Sequence, residues 1–225
     1  MVKRTDLNTD RYYKRAKAEG YRARSAFKLL QIVNKFEVIK EGDIVVDLGA
    51  APGGWSQVAK EIVGEKGVVI SVDLQQIEPI EGVESLKSDI TNEMETIKTI
   101  KETLLMKISK GKDLVDVVLS DASPKLSGNR DYDHFRSFEL AKSVLNVASA
   151  LLRNNGSFVA KIFQGVCYNE FYKDVQEKFA YTKAYSPAAT RKRSAEVYVI
   201  GKGFLGNQNS PQRTLSSQRK LDVRC

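Results

Sequence analysis

The strand and glycine-rich loop that decide the fold read Asp43-Ile-Val-Val-Asp-Leu-Gly-Ala-Ala-Pro-Gly-Gly-Trp55. The apolar run over 43–48 predicts a buried strand, and residues 53–64 after it predict a helix that ends at a glycine. The small residues between them let the backbone approach a ligand closely, and the first N–H groups of the helix have no partner within the helix. The loop matches neither the dinucleotide-binding fingerprint nor the P-loop, because its glycine spacing differs and no Gly-Lys-Ser/Thr follows.

Strands and helices alternate along the rest of the chain. The apolar runs predict strands over 43–48, 67–74, 85–89, 113–121 and 157–163, and two more around 180–185 and 195–201. Helical spacing predicts helices over 24–36, 53–64, 92–108 and 134–153, and one near 168–178. This order predicts a single α/β domain with a doubly wound seven-stranded sheet, parallel except for an antiparallel C-terminal hairpin.

Positive charge is concentrated at the two ends of the chain. Of a net charge of +8 over 225 residues, residues 1–30 carry +6 and residues 206–225 carry +3, so the middle is close to neutral. We therefore expect a basic N-terminal arm over 1–20, a folded domain over 21–205 and a disordered basic tail over 206–225. Such patches attract phosphate backbones, and Tyr12, Tyr13 and Tyr21 could stack on bases. Solvated termini without a partner are the alternative.

Several classes of protein are excluded by composition. No run of about 18 apolar residues occurs, so we expect no contact with a membrane. The chain has two cysteines, Cys167 and Cys225, and one histidine, which excludes a disulfide framework and a Cys/His zinc site. We therefore expect a cytoplasmic protein without a metal ion.

Acidic residues stand at the ends of three successive predicted strands. Asp73 lies 19 residues after Gly54, close to the spacing of a carboxylate that binds ribose hydroxyls, and Asp89 and Asp121 end the next two strands. This pattern indicates a nucleoside-bearing cofactor, with Asp73 at the ribose, Asp89 beside the adenine and Asp121 near the reacting end. An acidic site favours S-adenosylmethionine over NAD, since its sulfonium and ammonium groups are cationic.

Three further segments complete a resemblance to a known family. The loop after the first strand, together with Tyr21-Arg-Ala-Arg-Ser-Ala-Phe-Lys28, Ser120-Asp121-Ala-Ser-Pro124 and Val159-Ala-Lys161-Ile-Phe163, closely resembles the FtsJ/RrmJ-type ribose 2′-O-methyltransferases over about residues 10–201. The resemblance implies a Rossmann-like methyltransferase sheet and S-adenosylmethionine as cofactor. It also implies a Lys-Asp-Lys-Glu catalytic tetrad and a set of cofactor contacts. The tetrad falls on Lys28, Asp121, Lys161 and Glu196, and the contacts fall on Gly53, Trp55, Asp73, Asp89 and Asp121.

Two roles are open for Lys161, which lies within an apolar run. As a neutral amine it accepts the proton of the ribose hydroxyl, which is the role we favour; as an ammonium it stabilises the developing alkoxide. Taken alone, Lys161 would be read as a lysine extending to solvent from a strand end, and Lys28 as part of a solvated helix face.

The leading hypothesis is therefore a monomeric RNA 2′-O-methyltransferase. The resemblance favours a uridine of large-subunit ribosomal RNA, and Arg191-Lys192-Arg193 is interpreted as a phosphate contact. Alternatives are a nucleotide in a tRNA anticodon loop, or an RNA-binding module without catalysis. An NAD-linked oxidoreductase is disfavoured by the missing fingerprint.

Overall fold

A seven-stranded sheet forms the centre of the protein. The computed structural model describes residues 10–107, 114–191 and 193–206. The strands are β1 Ile44–Leu48, β2 Val68–Asp73, β3 Val83–Lys87, β4 Val115–Ser120, β5 Leu152–Phe163, β6 Phe179–Tyr185 and β7 Glu196–Phe204. The helices are α1 Arg11–Ala18, α2 Ala26–Phe36, α3 Gly54–Val63, α4 Glu93–Lys107, α5 Arg130–Leu151 and α6 Tyr168–Lys178.

The strand order places a topological switch point in the middle of the sheet. The order is β3-β2-β1-β4-β5-β7-β6, and the first five strands are parallel to one another. The chain winds outward from β1 to β3 and then returns to β4 on the other side of β1, so the loops after β1 and β4 diverge. Ligands of doubly wound sheets bind at such a divergence. Strand β7 runs antiparallel between β5 and β6, which confirms the predicted C-terminal hairpin.

Helices bury both faces of the sheet. Apolar residues of α4, α5 and α6, among them Ile100, Leu145 and Phe171, pack on one face. Residues of α2 and α3, among them Leu29 and Val58, pack on the other. Because both faces are covered, all five residues of β1 are buried, as the continuous apolar run predicts.

Two element boundaries differ from the sequence prediction by four or more residues. Helix α5 begins at Arg130 rather than 134, because the side chain of Asn129 accepts hydrogen bonds from the N–H groups of Asp131 and Tyr132 and caps the helix earlier. Strand β5 begins at Leu152 rather than 157; its residues 153–155 are exposed, so they lack the apolar signal of a strand.

The predicted arm contains a helix that the sequence analysis did not assign. Asp10 caps α1 by accepting hydrogen bonds from the N–H groups of Tyr12 and Tyr13. Ala16 is buried against Phe27 of α2 and Ala189. The helix therefore packs on the domain, while residues 1–9 and the predicted tail from 207 onward lie outside the described residues.

Candidate active site

An acidic cavity of about 650 Å³ opens at the switch point of the sheet. Its walls come from the loops after β1, β2, β3 and β4 and from one side of α5. Four carboxylates and two basic side chains line it: Asp73, Asp89, Asp121 and Glu139, with Lys125 and Arg136. The structure thus brings together the three acidic residues that the sequence placed at successive strand ends.

Two of these carboxylates also organise the cavity loops. Asp73 accepts hydrogen bonds from the N–H of Ala51, at 3.0 Å, and from the N–H of Gln75, at 2.8 Å. Asp89 accepts both the N–H and the hydroxyl of Thr91 on one oxygen, at 2.9 and 2.7 Å. Each carboxylate therefore has a fixed orientation and retains acceptor capacity for a ligand.

The two remaining predicted cofactor contacts do not line this cavity. Gly53 has a φ of 108°, and a Cβ there would lie 2.7 Å from the side chain of Ile80. The indole N–H of Trp55 donates to the carbonyl of Ser25 at 2.9 Å, and its ring packs 5.6 Å from that of Tyr198. Gly53 therefore allows close packing behind the loop, and Trp55 joins α2, α3 and the sheet.

The four residues of the predicted tetrad form one connected cluster beside the cavity. Lys28 of α2 donates to Glu196 of β7 at 2.8 Å, and its Nζ lies 3.9 Å from Asp121 Oδ1. Lys161 of β5 lies 3.3 Å from the same oxygen and donates to the backbone carbonyl of Asp121 at 2.7 Å. Lys28 is 8% and Lys161 6% exposed, so neither is the solvated lysine of the alternative interpretation.

A tyrosine completes the cluster that the sequence analysis described as four residues. The hydroxyl of Tyr198 donates to Asp121 Oδ1 at 2.6 Å, and its ring lies 5.6 Å from Lys28 Nζ. Burial, helped by the charges of Asp121 and Glu196, raises the pKa of Tyr198 well above its ordinary value, so it remains a neutral donor. Its position two residues after Glu196 in a strand places both side chains on one face, and that spacing could have predicted it.

A buried acid lies beneath the loop after β1. Asp47 accepts a hydrogen bond from Ser56 at 2.6 Å, and Ser71 donates to Ser56 at 2.6 Å. Within the described part of the chain, the other oxygen of Asp47 has no hydrogen-bond partner. Burial raises the pKa of Asp47 to about 7, against the hydrogen bond from Ser56, and the charges of Asp121 and Asp73 add to the increase.

Two arginines of the basic N-terminal segment make contacts within the protein. Arg22 donates to the carbonyls of Glu78 at 2.5 Å and Pro79 at 2.7 Å. Arg24 pairs with Asp10 and also donates to the carbonyl of Ala189. The count of positive charges is correct, but both guanidinium groups stabilise loops. The sequence does not reveal their carbonyl partners, because these lie far along the chain from the arginines.

The described residues contain no helix long and apolar enough to cross a membrane. They also contain no group of three or more His, Cys, Asp or Glu residues arranged to hold a metal ion. The site is thus an acidic cavity that adjoins a buried cluster of lysines and carboxylates in a doubly wound α/β protein.

The chain belongs to the FtsJ-like methyltransferase family, whose sequence model matches residues 21–204. It is 54% identical over 196 residues to the ribosomal RNA large subunit methyltransferase E of Methanosarcina mazei, covering 87% of this chain and 70% of that protein. It is 45% identical over 215 residues to the protein of the same name from Methanocaldococcus jannaschii, covering 95% of this chain and 86% of that protein.

Solved structures share this fold. A ribosomal RNA methyltransferase from Plasmodium falciparum superposes with a TM-score of 0.72 at 28% identity, covering 83% of this chain and 100% of that one. The fibrillarin of Methanococcus jannaschii, at 16% identity and a TM-score of 0.51, covers 74% of this chain and 69% of its own, and supports the fold alone.

Proposed function

We propose that the protein transfers a methyl group from S-adenosylmethionine to the 2′-hydroxyl of a uridine in large-subunit ribosomal RNA. The observation that carries the proposal is the buried cluster of Lys28, Asp121, Lys161 and Glu196 beside the acidic cavity. The names of the curated relatives support large-subunit ribosomal RNA as the substrate class.

The chemistry of the cavity suits this cofactor. Its volume of about 650 Å³ lies within the range of ligand pockets, roughly 300–1,000 Å³. Its carboxylates outnumber its basic side chains by four to two, which favours a ligand with sulfonium and ammonium groups. We assign Asp73 to the ribose, Asp89 to the adenine and Asp121 to the reacting end. When bound, S-adenosylmethionine supplies an activated methyl group on its sulfur.

The contacts of Lys161 with Asp121 support a role at the ribose hydroxyl. The backbone carbonyl of Asp121 accepts a hydrogen bond from Nζ at 2.7 Å, and the carboxylate oxygen Oδ1 lies 3.3 Å from Nζ. A neutral amine has two N–H groups and one lone pair, whereas an ammonium has three N–H groups and no lone pair. We propose that the neutral amine directs this lone pair at the hydroxyl and accepts its proton as the methyl group is transferred.

The other members of the cluster keep Asp121 and Lys161 in place. The ammonium of Lys28 is paired with Glu196 and lies near Asp121, which limits the cost of the buried charges. The hydroxyl of Tyr198 holds the carboxylate of Asp121 from another side. Preorganised groups of this kind align the reacting atoms without moving during the reaction.

A basic surface beside the cluster is suited to RNA. Helix α1 exposes Arg11, Lys14, Arg15 and Lys17. Arg191, on the loop before β7, is exposed and lies 3.7 Å from Asp10, the residue that caps α1. Since α1 packs on α2, which carries Lys28, we propose that phosphates near the methylated nucleotide bind here. Lys192, expected to share this role, lies outside the described residues.

All four tetrad residues and the cavity belong to one chain, so we propose that the protein acts as a monomer. With two cysteines and no disulfide framework in the sequence, we place it in the cytoplasm.

The decisive experiment maps methylation on two classes of RNA. Large-subunit ribosomal RNA and tRNA transcripts are incubated with methyl-labelled S-adenosylmethionine, and the modified ribose is located. We expect 2′-O-methylation of one uridine in the ribosomal RNA. Methylation of tRNA alone, or of a base, would contradict the proposal.

Variants of Lys161 test the chemical step. Lys161→Ala should lower the single-turnover rate by at least about 10²-fold, and Lys161→Arg should be nearly as inactive, because arginine does not release its proton in proteins. The matched control is Lys173→Ala, an exposed lysine of α6, which should react like the wild type. High activity of the arginine variant would show that Lys161 stabilises the developing charge and does not accept the proton.

A further inference from the structure

A groove of about 490 Å³ lies between the C-terminal end of α2 and the edge strand β6. Lys35, Phe36, Glu37, Tyr181 and Lys202 line it, and none of them lines the acidic cavity. We call it the α2–β6 groove. It takes no part in the chemistry described above.

The walls of the α2–β6 groove combine cations with aromatic rings. Lys35 Nζ lies 4.4 Å from the centre of the Tyr185 ring, and the rings of Phe36 and Tyr185 meet edge to face at 5.4 Å. Tyr181 is 47% exposed, so part of this side chain is available to a ligand. Lys202 donates to the carbonyl of Phe36 at 2.7 Å, which fixes its ammonium in the groove.

The strand register places one more lysine beside the groove. Tyr181, Lys183 and Tyr185 pair with Lys202, Ile200 and Tyr198 of β7. Cross-strand partners share a face of the sheet, and Ile200 and Tyr198 pack against α2, so exposed Lys183 lies on the groove side. Three lysines thus accompany one carboxylate, Glu37. Among the described residues, neither Lys35 nor Lys183 forms an ion pair.

The α2–β6 groove and the catalytic cluster share helix α2 and strand β7. Lys28 and Lys35 are seven residues apart on one side of α2, which corresponds to about 10 Å along the helix. Tyr185 pairs with Tyr198, whose hydroxyl contacts Asp121. A polymer whose reacting unit lies at the cluster can therefore reach the groove within a few of its units.

We propose that the α2–β6 groove binds RNA that flanks the methylated nucleotide, with phosphates on Lys35, Lys183 and Lys202 and a base stacked on Tyr181. This inference rests on the proposed function and adds the path that the substrate RNA follows over the protein surface. The basic segment 207–225, with a net charge of +3, is disfavoured as an occupant because the groove is itself positive.

The test compares Lys35→Glu, Tyr181→Ala and Tyr181→Phe with the wild type. Methyl transfer to transcribed large-subunit ribosomal RNA gives kcat and KM, filter binding gives RNA affinity and calorimetry gives cofactor affinity. Lys35→Glu and Tyr181→Ala should each raise KM and weaken RNA binding about tenfold, while Tyr181→Phe, which keeps the ring, should resemble the wild type. The value of kcat, cofactor affinity and the thermal midpoint should not change.

The matched control is Lys173→Glu, the same charge reversal at an exposed lysine of α6 on the opposite face of the sheet. Wild-type RNA affinity in both groove variants, or an equal loss in the control, would overturn the groove assignment. A lower kcat with unchanged RNA affinity would also overturn it. If the wild type itself transfers no methyl group to the RNA, the proposed function fails, whereas filter binding still tests the groove.

Discussion

Replacing Asp47 by asparagine should remove much of the pH dependence of folding between about pH 4 and pH 7. The carboxyl group of Asp47 is fully buried, accepts one hydrogen bond from Ser56, and has its pKa raised to about 7 by burial. Asparagine has nearly the same shape and keeps an oxygen that can accept from Ser56, but it does not titrate.

The direction and size of the effect follow from proton linkage. An aspartate in the unfolded chain titrates near pH 3.8, so between pH 3.8 and 7 the folded protein retains a proton that the unfolded chain has released. Stability therefore falls as the pH rises through this window and levels off above it. The separation of about three pH units corresponds to about 4 kcal/mol of unfolding free energy.

Urea unfolding at a series of pH values from 4 to 8 measures the effect as a difference between the two proteins. The unfolding free energy of Asp47→Asn minus that of the wild type should increase with pH by up to about 4 kcal/mol. The control, Asp131→Asn, changes an exposed aspartate in the first turn of α5 and should follow the wild-type curve closely. Parallel curves for Asp47→Asn and the wild type would show that Asp47 is ionised when the protein folds, and would refute the reasoning.

Three further variants test the cofactor site and the basic surface. Asp73→Ala should weaken S-adenosylmethionine binding by about 1–3 kcal/mol, because a cofactor hydroxyl and the N–H of Ala51 lose their acceptor. Calorimetry that gives equal affinities for the variant and the wild type would show that Asp73 does not bind the cofactor. Lys14→Ala, on the exposed side of α1, should lower the salt slope of RNA binding by about one, with little effect on folding. By contrast, Arg24→Ala should lower the thermal midpoint of unfolding and leave the salt slope of RNA binding unchanged, because Arg24 pairs with Asp10. A lowered slope in this variant would show that Arg24 contacts RNA.

The architecture could be predicted from sequence because the sheet is buried on both faces. Such strands appear as continuous apolar runs, and β1 is the clearest case. Helix α1 escaped prediction because it is mostly polar and buries only Ala16, so it lacks an apolar stripe. Its packing depends on Asp10 and on residues of α2, which no local pattern in the arm reveals.

The positions of the carboxylates in the candidate site could be predicted from sequence, but the packing of the side chains around them was less predictable. Asp73 ends β2 and Asp121 follows β4. Parallel strands bring their carboxyl ends together, so topology alone predicts that the two residues converge. Trp55 immediately follows the glycine loop, and its ring lies against that of Tyr198, which is far along the chain. Which side of a loop a ring occupies depends on partners that are distant in the chain.

The position of β7 determines when the cluster beside the acidic cavity is complete. The residues that line the cavity all precede residue 144, whereas the cluster includes Glu196, on the last strand of the described residues. That strand joins the sheet between β5 and β6 rather than at an edge. A growing chain therefore contains every residue of the cavity long before it can hold Lys28 against a carboxylate of β7. The proposed methyl transfer therefore requires molecules whose sheet is complete.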